Sequence, residues 1–113
     1  MPLYAFAAPV LPGKMEEYRE FVEELNTTRK KDYEASRKNA GFSRETVFLQ
    51  KTPQGDMVVI VQEAENAEKA MESLRELKDP FDVWFFERVK DIHGFDIAGG
   101  QMPSNELLID YRS

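Results

Sequence analysis

The feature that most constrains the fold of this chain is a run of five apolar residues, Met57 to Val61, inside a segment patterned as a β-strand. Successive side chains of a strand point to opposite faces of the sheet, so a run that is apolar at every position is typical of a strand covered on both faces. The segment from Leu3 to Val10 has the same character, because Tyr4 and Phe6 alternate with small apolar residues. We therefore expect a sheet that needs cover on both faces.

Turn residues and helical periodicity place the other elements. The turn Thr52-Pro53-Gln54-Gly55 joins two strand patterns into a β-hairpin. Apolar residues at spacings of three and four indicate helices, and Asn26-Thr27-Thr28 permits a break in the longest one. The expected elements are a strand over 3–10, a helix over 14–38, strands over 43–51 and 56–64, helices over 66–77 and 80–92, and a strand over 107–111.

This order predicts an α+β fold of the ferredoxin-like β-α-β-β-α-β type, with an extra helix before the last strand. We expect a single domain over residues 1–113, with an antiparallel sheet and both long helices on one face. A second copy of the chain is the simplest way to cover the other face of the sheet. Two sheets packed face to face would form a closed dimeric barrel. The alternative is a monomer whose third helix or C-terminal arm covers that face.

Four short motifs give the chain a family resemblance. They are Pro12-Gly13-Lys14, the hairpin turn with Asp56, the segment from Asp79 to Phe85, and His93-Gly94-Phe95-Asp96. With these motifs the chain resembles the dimeric α/β-barrel superfamily, and more narrowly an uncharacterised bacterial family within it. The resemblance implies a homodimer of ferredoxin-like domains. It implies no single activity, because the superfamily includes cofactor-independent monooxygenases, haem-degrading enzymes and stress-response proteins.

Composition excludes several classes of function. Fifteen basic and twenty-one acidic side chains give a net charge of −6, which argues against binding to nucleic acid or to an anionic membrane surface. The chain has no cysteine, no signal-peptide pattern and no long apolar run, so we expect a cytoplasmic location. No metal-ligand spacing or nucleotide fingerprint is present, so we expect no cofactor and no metal, although a carboxylate site for Mg²⁺ or Ca²⁺ stays open.

The single histidine, His93, is the first candidate for chemistry. It ends the predicted helix over 80–92, between Asp91 and Asp96. As a general base it would titrate near neutral pH, with Asp96 or Asp91 orienting the ring, and we take His93 and Asp96 as the candidate catalytic pair. Two other interpretations are a haem ligand and a helix cap that interacts with the last carbonyls of its own helix. We expect the cap.

The same helix carries three of the candidate ligand-binding residues, and the fourth, Tyr18, lies on the predicted helix over 14–38. At 100° per residue, Asp82 and Phe86 lie on the same stripe as His93, and Trp84 lies one turn before Arg88. An aromatic wall with a few polar groups suits a small, partly apolar ligand, so Trp84, Phe86, Arg88 and Tyr18 are predicted to bind it. The alternative is that the aromatic side chains serve packing or the dimer interface.

Two functions follow. The first is a homodimeric barrel that binds a small, partly apolar ligand between its sheet and helices. The second is a small cofactor-independent enzyme, of the monooxygenase or isomerase type, with His93 as general base. The sequence leaves open whether the protein is an enzyme.

Overall fold

Three strands and four helices form in the order β-α-α-β-β-α-α in a computed structural model that describes residues 3–100 and 102–113. The elements are β1 (Leu3–Pro9), α1 (Met15–Asn26), α2 (Lys30–Ala40), β2 (Phe42–Thr52), β3 (Gly55–Ala64), α3 (Ala67–Glu76) and α4 (Pro80–His93). The described part of the chain is thus an α+β protein with one open sheet.

The sheet has three antiparallel strands in the order β1-β3-β2. The predicted hairpin of β2 and β3 is confirmed, with Thr52 paired to Gly55 across the turn. The Thr52 hydroxyl donates to the Gly55 carbonyl at 2.6 Å and accepts from the Gln54 N–H at 3.2 Å. Gly55 adopts φ 125°, a left-handed conformation that favours glycine.

The two faces of the sheet have different surroundings. On β3, Val58, Gln62 and Ala64 are buried beneath the helices, whereas Val59 belongs to the other, half-buried set. The side chains that alternate with the helix-covered set form what we call the outer face; it consists of Leu3, Ala5, Ala7, Pro9, Arg44, Thr46, Phe48, Gln50, Met57, Val59, Val61 and Glu63. Leu3 and Phe48 are 58% and 56% exposed there. The apolar character expected on both faces is present, and the helices cover one of them.

The helix expected over 14–38 is two helices, α1 and α2. The break follows Asn26, where the Thr27 hydroxyl donates to the Glu23 carbonyl at 2.7 Å and the Arg29 N–H donates to the Glu24 carbonyl at 2.8 Å. A threonine side chain competes in this way for carbonyls that would otherwise continue the helix. The break lets α2 turn, and it brings α2 into contact with α3 and α4.

Local signals set the ends of the later helices. The Asn66 side chain accepts from the Lys69 N–H at 3.0 Å and caps α3. Pro80 takes the first position of α4, as its fixed φ favours. Gly94 ends α4 in a left-handed conformation, and its N–H donates to the Lys90 carbonyl at 2.9 Å. No helix in the described residues is long and apolar enough to cross a membrane.

The strand expected over 107–111 does not form in the described chain. The edge of β1 is instead occupied by side-chain contacts: both backbone groups of Ala5 bond the Asn105 amide at 2.6 Å, and the Tyr4 hydroxyl donates to the Pro103 carbonyl. The Asn105 side chain makes the two hydrogen bonds to Ala5 that the backbone of a neighbouring strand would make. Pro103 has no N–H with which to extend such a ladder. In the described residues, β1 therefore has no fourth strand beside it. The large apolar side chains of this segment are 74–83% exposed; they are Leu107, Leu108, Ile109 and Tyr111.

Candidate functional site

A cavity of about 300 Å³ lies between the helix-covered face of the sheet and the helices. Most of its wall is aromatic or aliphatic, and the largest such side chains belong to Phe6, Phe21, Ile60, Met71, Leu74 and Phe85. Its polar lining residues include Tyr18, His93 and Gln62. An apolar cavity with a few placed polar groups is the usual form of a small-ligand site.

The carboxylate of Glu45, on β2, lies inside this wall. It accepts hydrogen bonds from the Tyr33 hydroxyl, from Arg37 Nε at 3.1 Å and from Gln62 Nε2. The side chains of Arg37 and Glu45 are each only 8% exposed. Tyr33 and Arg37 lie on α2, and Gln62 is the residue opposite Glu45 on β3. One carboxylate thus joins a helix to both strands of the hairpin.

Arg37 is held on several sides. Its Nη1 donates to the Ser36 hydroxyl at 3.1 Å, and that hydroxyl donates to the buried carboxylate of Asp82 near the start of α4. The guanidinium lies 4.8 Å from the ring centre of Tyr33 and 4.4 Å from that of Phe85, a distance at which a cation is attracted to the ring face. The group as a whole holds one cation and two carboxylates.

These contacts decide the protonation of Glu45. Burial alone would raise the pKa of its carboxyl, but the positive charge of Arg37 and the hydrogen bonds from Tyr33, Gln62 and Arg37 outweigh burial and hold that pKa below its ordinary value. Burial and the neighbouring charge of Glu45 raise the pKa of Tyr33. Near neutral pH the carboxyl is therefore ionised and the phenol keeps its proton.

Gln62 is left with one unsatisfied atom. An ionised carboxylate only accepts, so the Gln62 amide presents Nε2 to Glu45 and turns Oε1 away. Among the described residues, Oε1 is the one buried side-chain oxygen or nitrogen without a hydrogen-bond partner. Gln62 is only 2% exposed and lines the cavity. A buried acceptor without a donor is uncommon in proteins, and Oε1 is closed off from water in this structure.

His93 is buried and lines the cavity at another point. Its Nδ1 lies 2.8 Å from the Pro9 carbonyl oxygen. A carbonyl only accepts, so Nδ1 carries the proton and Nε2 of the neutral ring is an acceptor. The ring packs edge-on against Tyr18, with centres 5.4 Å apart, and stacks on Phe95. Its hydrogen bond thus goes to β1 rather than to the last carbonyls of its own helix, where we expected a cap.

The carboxylates expected beside His93 have other partners. Asp96 accepts from the Gly99 N–H at 3.1 Å in a local turn. Asp91 pairs with Lys14 at 3.1 Å and with Arg88 at 3.3 Å on the surface. The group that orients the His93 ring is therefore a backbone carbonyl rather than a carboxylate.

Two of the six predicted site residues, Tyr18 and His93, line the cavity. Trp84 packs on Phe21, and the Arg29 guanidinium covers its ring at 3.8 Å. The other three also lie away from the cavity wall: Phe86 is in the core, Arg88 pairs with Glu17 at 2.8 Å, and Asp96 is in the turn described above. Most of the aromatic face of α4 serves packing.

The residues that the sequence analysis missed are Glu45 and Gln62. A signal was present, because strand alternation puts Gln62 on the same face as Val58 and Ile60, where a polar side chain is unexpected. Among the described residues, no three histidine, aspartate or glutamate side chains gather closely enough to ligate a metal ion.

We predict that protonation of His93 lowers the stability of the protein. Burial lowers the pKa of His93, and the hydrogen bond to Pro9 only partly opposes this effect. The unfolded chain then binds its proton first, at a pKa of about 6.5. The free energy of unfolding should fall as the pH drops below that value, and it should level off above it.

Urea titrations at pH 5, 6, 7 and 8 measure this effect, with His93→Asn as a control that removes the titration. The difference in free energy of unfolding between the wild type and the variant should shrink as the pH falls. A difference that grows at low pH would show that the fold stabilises the charged ring, as expected if His93 capped its helix.

Comparison with known proteins places the sequence in a family without identifying an activity. No curated protein matches the chain. A model of a family of unknown function, DUF6176, matches residues 1–93, which include every strand and helix described above. The chain therefore belongs to this family of unknown function, DUF6176.

Proposed function

We propose that this protein binds a small, partly apolar ligand in the cavity between its sheet and its helices. The observation that carries the proposal is the cavity itself, about 300 Å³ of space with a largely apolar wall and a few polar lining residues, among them Tyr18 and His93. A ligand of matching shape would cover this apolar surface and gain packing contacts with it.

Thermal melting with a small panel tests the proposal: 1-naphthol, a naphthoquinone, coumarin as a lactone, and haem. A ligand that binds only the folded state raises the melting temperature, and the rise grows with ligand concentration. The variant Val22→Phe adds bulk at the cavity wall and should abolish the rise. Val83→Phe adds the same bulk at an exposed position of α4 and should preserve it. A rise that survives unchanged in Val22→Phe would contradict binding in this cavity.

A second candidate is a small cofactor-independent enzyme of the monooxygenase or isomerase type, with His93 as general base. The tautomer of His93 supports this second candidate, because the hydrogen bond from Nδ1 to the Pro9 carbonyl leaves Nε2 free to take a proton. The lowered pKa keeps the ring neutral at pH 7, as a base requires. The panel separates the two functions, because an enzyme releases an altered product and a binding protein returns its ligand unchanged.

We also propose that the protein is a homodimer of ferredoxin-like domains, as in the dimeric α/β-barrel superfamily. Two observations support it. The outer face of the sheet is largely apolar, with Leu3 and Phe48 more than half exposed. The segment expected to form the last strand also exposes its large side chains, including Leu108 and Ile109. Pairing of two outer faces would remove this surface from water.

Val59→Asp should break the proposed dimer, because Val59 lies on the outer face, in the middle of the central strand. Its neighbour Ile60 lines the cavity, so a charge at that position would not test the outer face. Sedimentation equilibrium at tens of micromolar should give twice the 13.1 kDa chain mass for the wild type and the chain mass for Val59→Asp. Val83→Asp is the control on α4 and should stay dimeric. A wild type with the mass of one chain would contradict the dimer.

A further inference from the structure

We infer that the C-terminal segment of one copy of the chain adds as an edge strand to β2 of a second copy and covers the mouth of that copy's cavity. We call residues 106–113 the C-terminal arm. The inference rests on the proposed homodimer and adds to it that each copy contributes a residue to its partner's cavity. Its basis is that one chain exposes both an apolar arm and an apolar strand edge.

The arm has the pattern of a strand that is covered on both faces. Leu107, Leu108 and Ile109 are consecutive, so a strand here is apolar on both sides. Leu107, Ile109 and Tyr111 share one face of such a strand, and Leu108 lies on the other. These four side chains are 74–83% exposed. Their own copy therefore leaves in water a surface that a strand of this pattern normally buries.

The edge of β2 offers the matching surface. Among the described residues β2 pairs only with β3, so one row of its backbone N–H and C=O groups has no neighbouring strand. Two large apolar side chains are exposed on its opposite faces, Val47 at 44% and Phe48 at 56%. An added strand that is apolar on both sides bonds the free backbone row and covers both side chains.

The strand order brings the arm of one copy to this edge of the other. β3 is the central strand, with β1 and β2 on either side. When two outer faces pack about a two-fold axis that runs along β3, β1 of each copy lies opposite β2 of its partner. The arm follows Asn105, which bonds Ala5 of β1. Packed sheets lie about 10 Å apart, so roughly three extended residues reach the partner's β2.

The arm also supplies area that the outer face lacks. Strands of 7, 11 and 10 residues give the three-stranded sheet a face of roughly 30 by 14 Å, or about 400 Å². Each partner in a stable complex buries about 800 Å². The outer face alone is therefore small for a stable dimer, and two exchanged arms add their apolar side chains to it.

The added strand closes the cavity as well. Val47 is exposed and also lines the cavity, so the cavity reaches the surface beside β2. Asn26, at the end of α1, is a second exposed residue of the cavity wall. When the face of the arm with three apolar residues lies beside Phe48, on the outer face, Leu108 lies on the Val47 side. Each cavity then includes one apolar side chain from the partner copy.

Disulfide crosslinking tests this placement, because the chain has no cysteine of its own. Leu108→Cys and Val47→Cys are prepared separately, mixed and oxidised. We expect a disulfide between positions 108 and 47 in a product of twice the chain mass, identified by peptide mass spectrometry. The control mixes Leu108→Cys with Val83→Cys, at an exposed position of α4. It should give roughly tenfold less mixed disulfide, since distant positions cannot be bridged.

Sedimentation equilibrium tests the contribution of the arm to the dimer. The double variant Leu107→Ser/Ile109→Ser removes two side chains that are exposed within one copy, so each copy still folds. The Kd of the dimer should rise about tenfold or more, because apolar area is no longer buried between the copies. Val83→Ser makes a comparable change on α4 and should leave the Kd unchanged.

The outcomes separate this inference from the proposed homodimer. A wild type with the mass of one chain would overturn both. A dimeric wild type with an unchanged Kd in the double variant would overturn the exchange of arms and leave the dimer. The variant Leu108→Cys/Val47→Cys carries both cysteines in one chain. A disulfide that forms within this chain, with none in the mixture of single variants, would place the arm on its own sheet and also overturn the exchange.

Discussion

The ionised carboxylate of Glu45 inside the wall of the cavity is the constraint on which the candidate site depends. A buried charge is costly unless it is paired and hydrogen-bonded, and Glu45 meets this condition with Arg37, Tyr33 and Gln62. Because these partners come from α2 and β3, satisfying one charge fixes how the helix sits on the hairpin. The same bonds determine which atom of the Gln62 amide faces Glu45.

The cavity follows from the way polar groups are placed in an otherwise apolar interior. Gln62 and His93 are each held by one fixed hydrogen bond, to Glu45 and to the Pro9 carbonyl. In each case the bond consumes a donor and leaves an acceptor, Oε1 in one residue and Nε2 in the other. Both acceptors belong to buried residues of the wall. The amide of Gln62 and the ring of His93 are thereby held in fixed orientations within the wall.

Local signals made the fold largely predictable, and long-range pairing made the site hard to predict. The Thr52–Gly55 turn and the Asn66 cap depend on neighbouring residues, and both form as such signals indicate. The predicted strand over 107–111 was wrong, because an apolar pattern carries no information on which other residues contact the edge of β1, here Pro103 and Asn105. Glu45 was missed because its role depends on Arg37 and Gln62, which meet it only after the hairpin and α2 have packed.

The charge state of Glu45 is the most direct test of this account, and the titration of its carboxyl carbon by NMR measures that state. The account predicts a midpoint below the ordinary glutamate pKa of about 4.3, because Arg37 and the three hydrogen bonds favour the charged form. The unfolded chain then takes up the proton first, so stability should fall as the pH drops through this range. Arg37→Met should move the midpoint upward. A wild-type midpoint at or above the ordinary value would contradict an ionised, donor-saturated Glu45 and the orientation of Gln62 that depends on it.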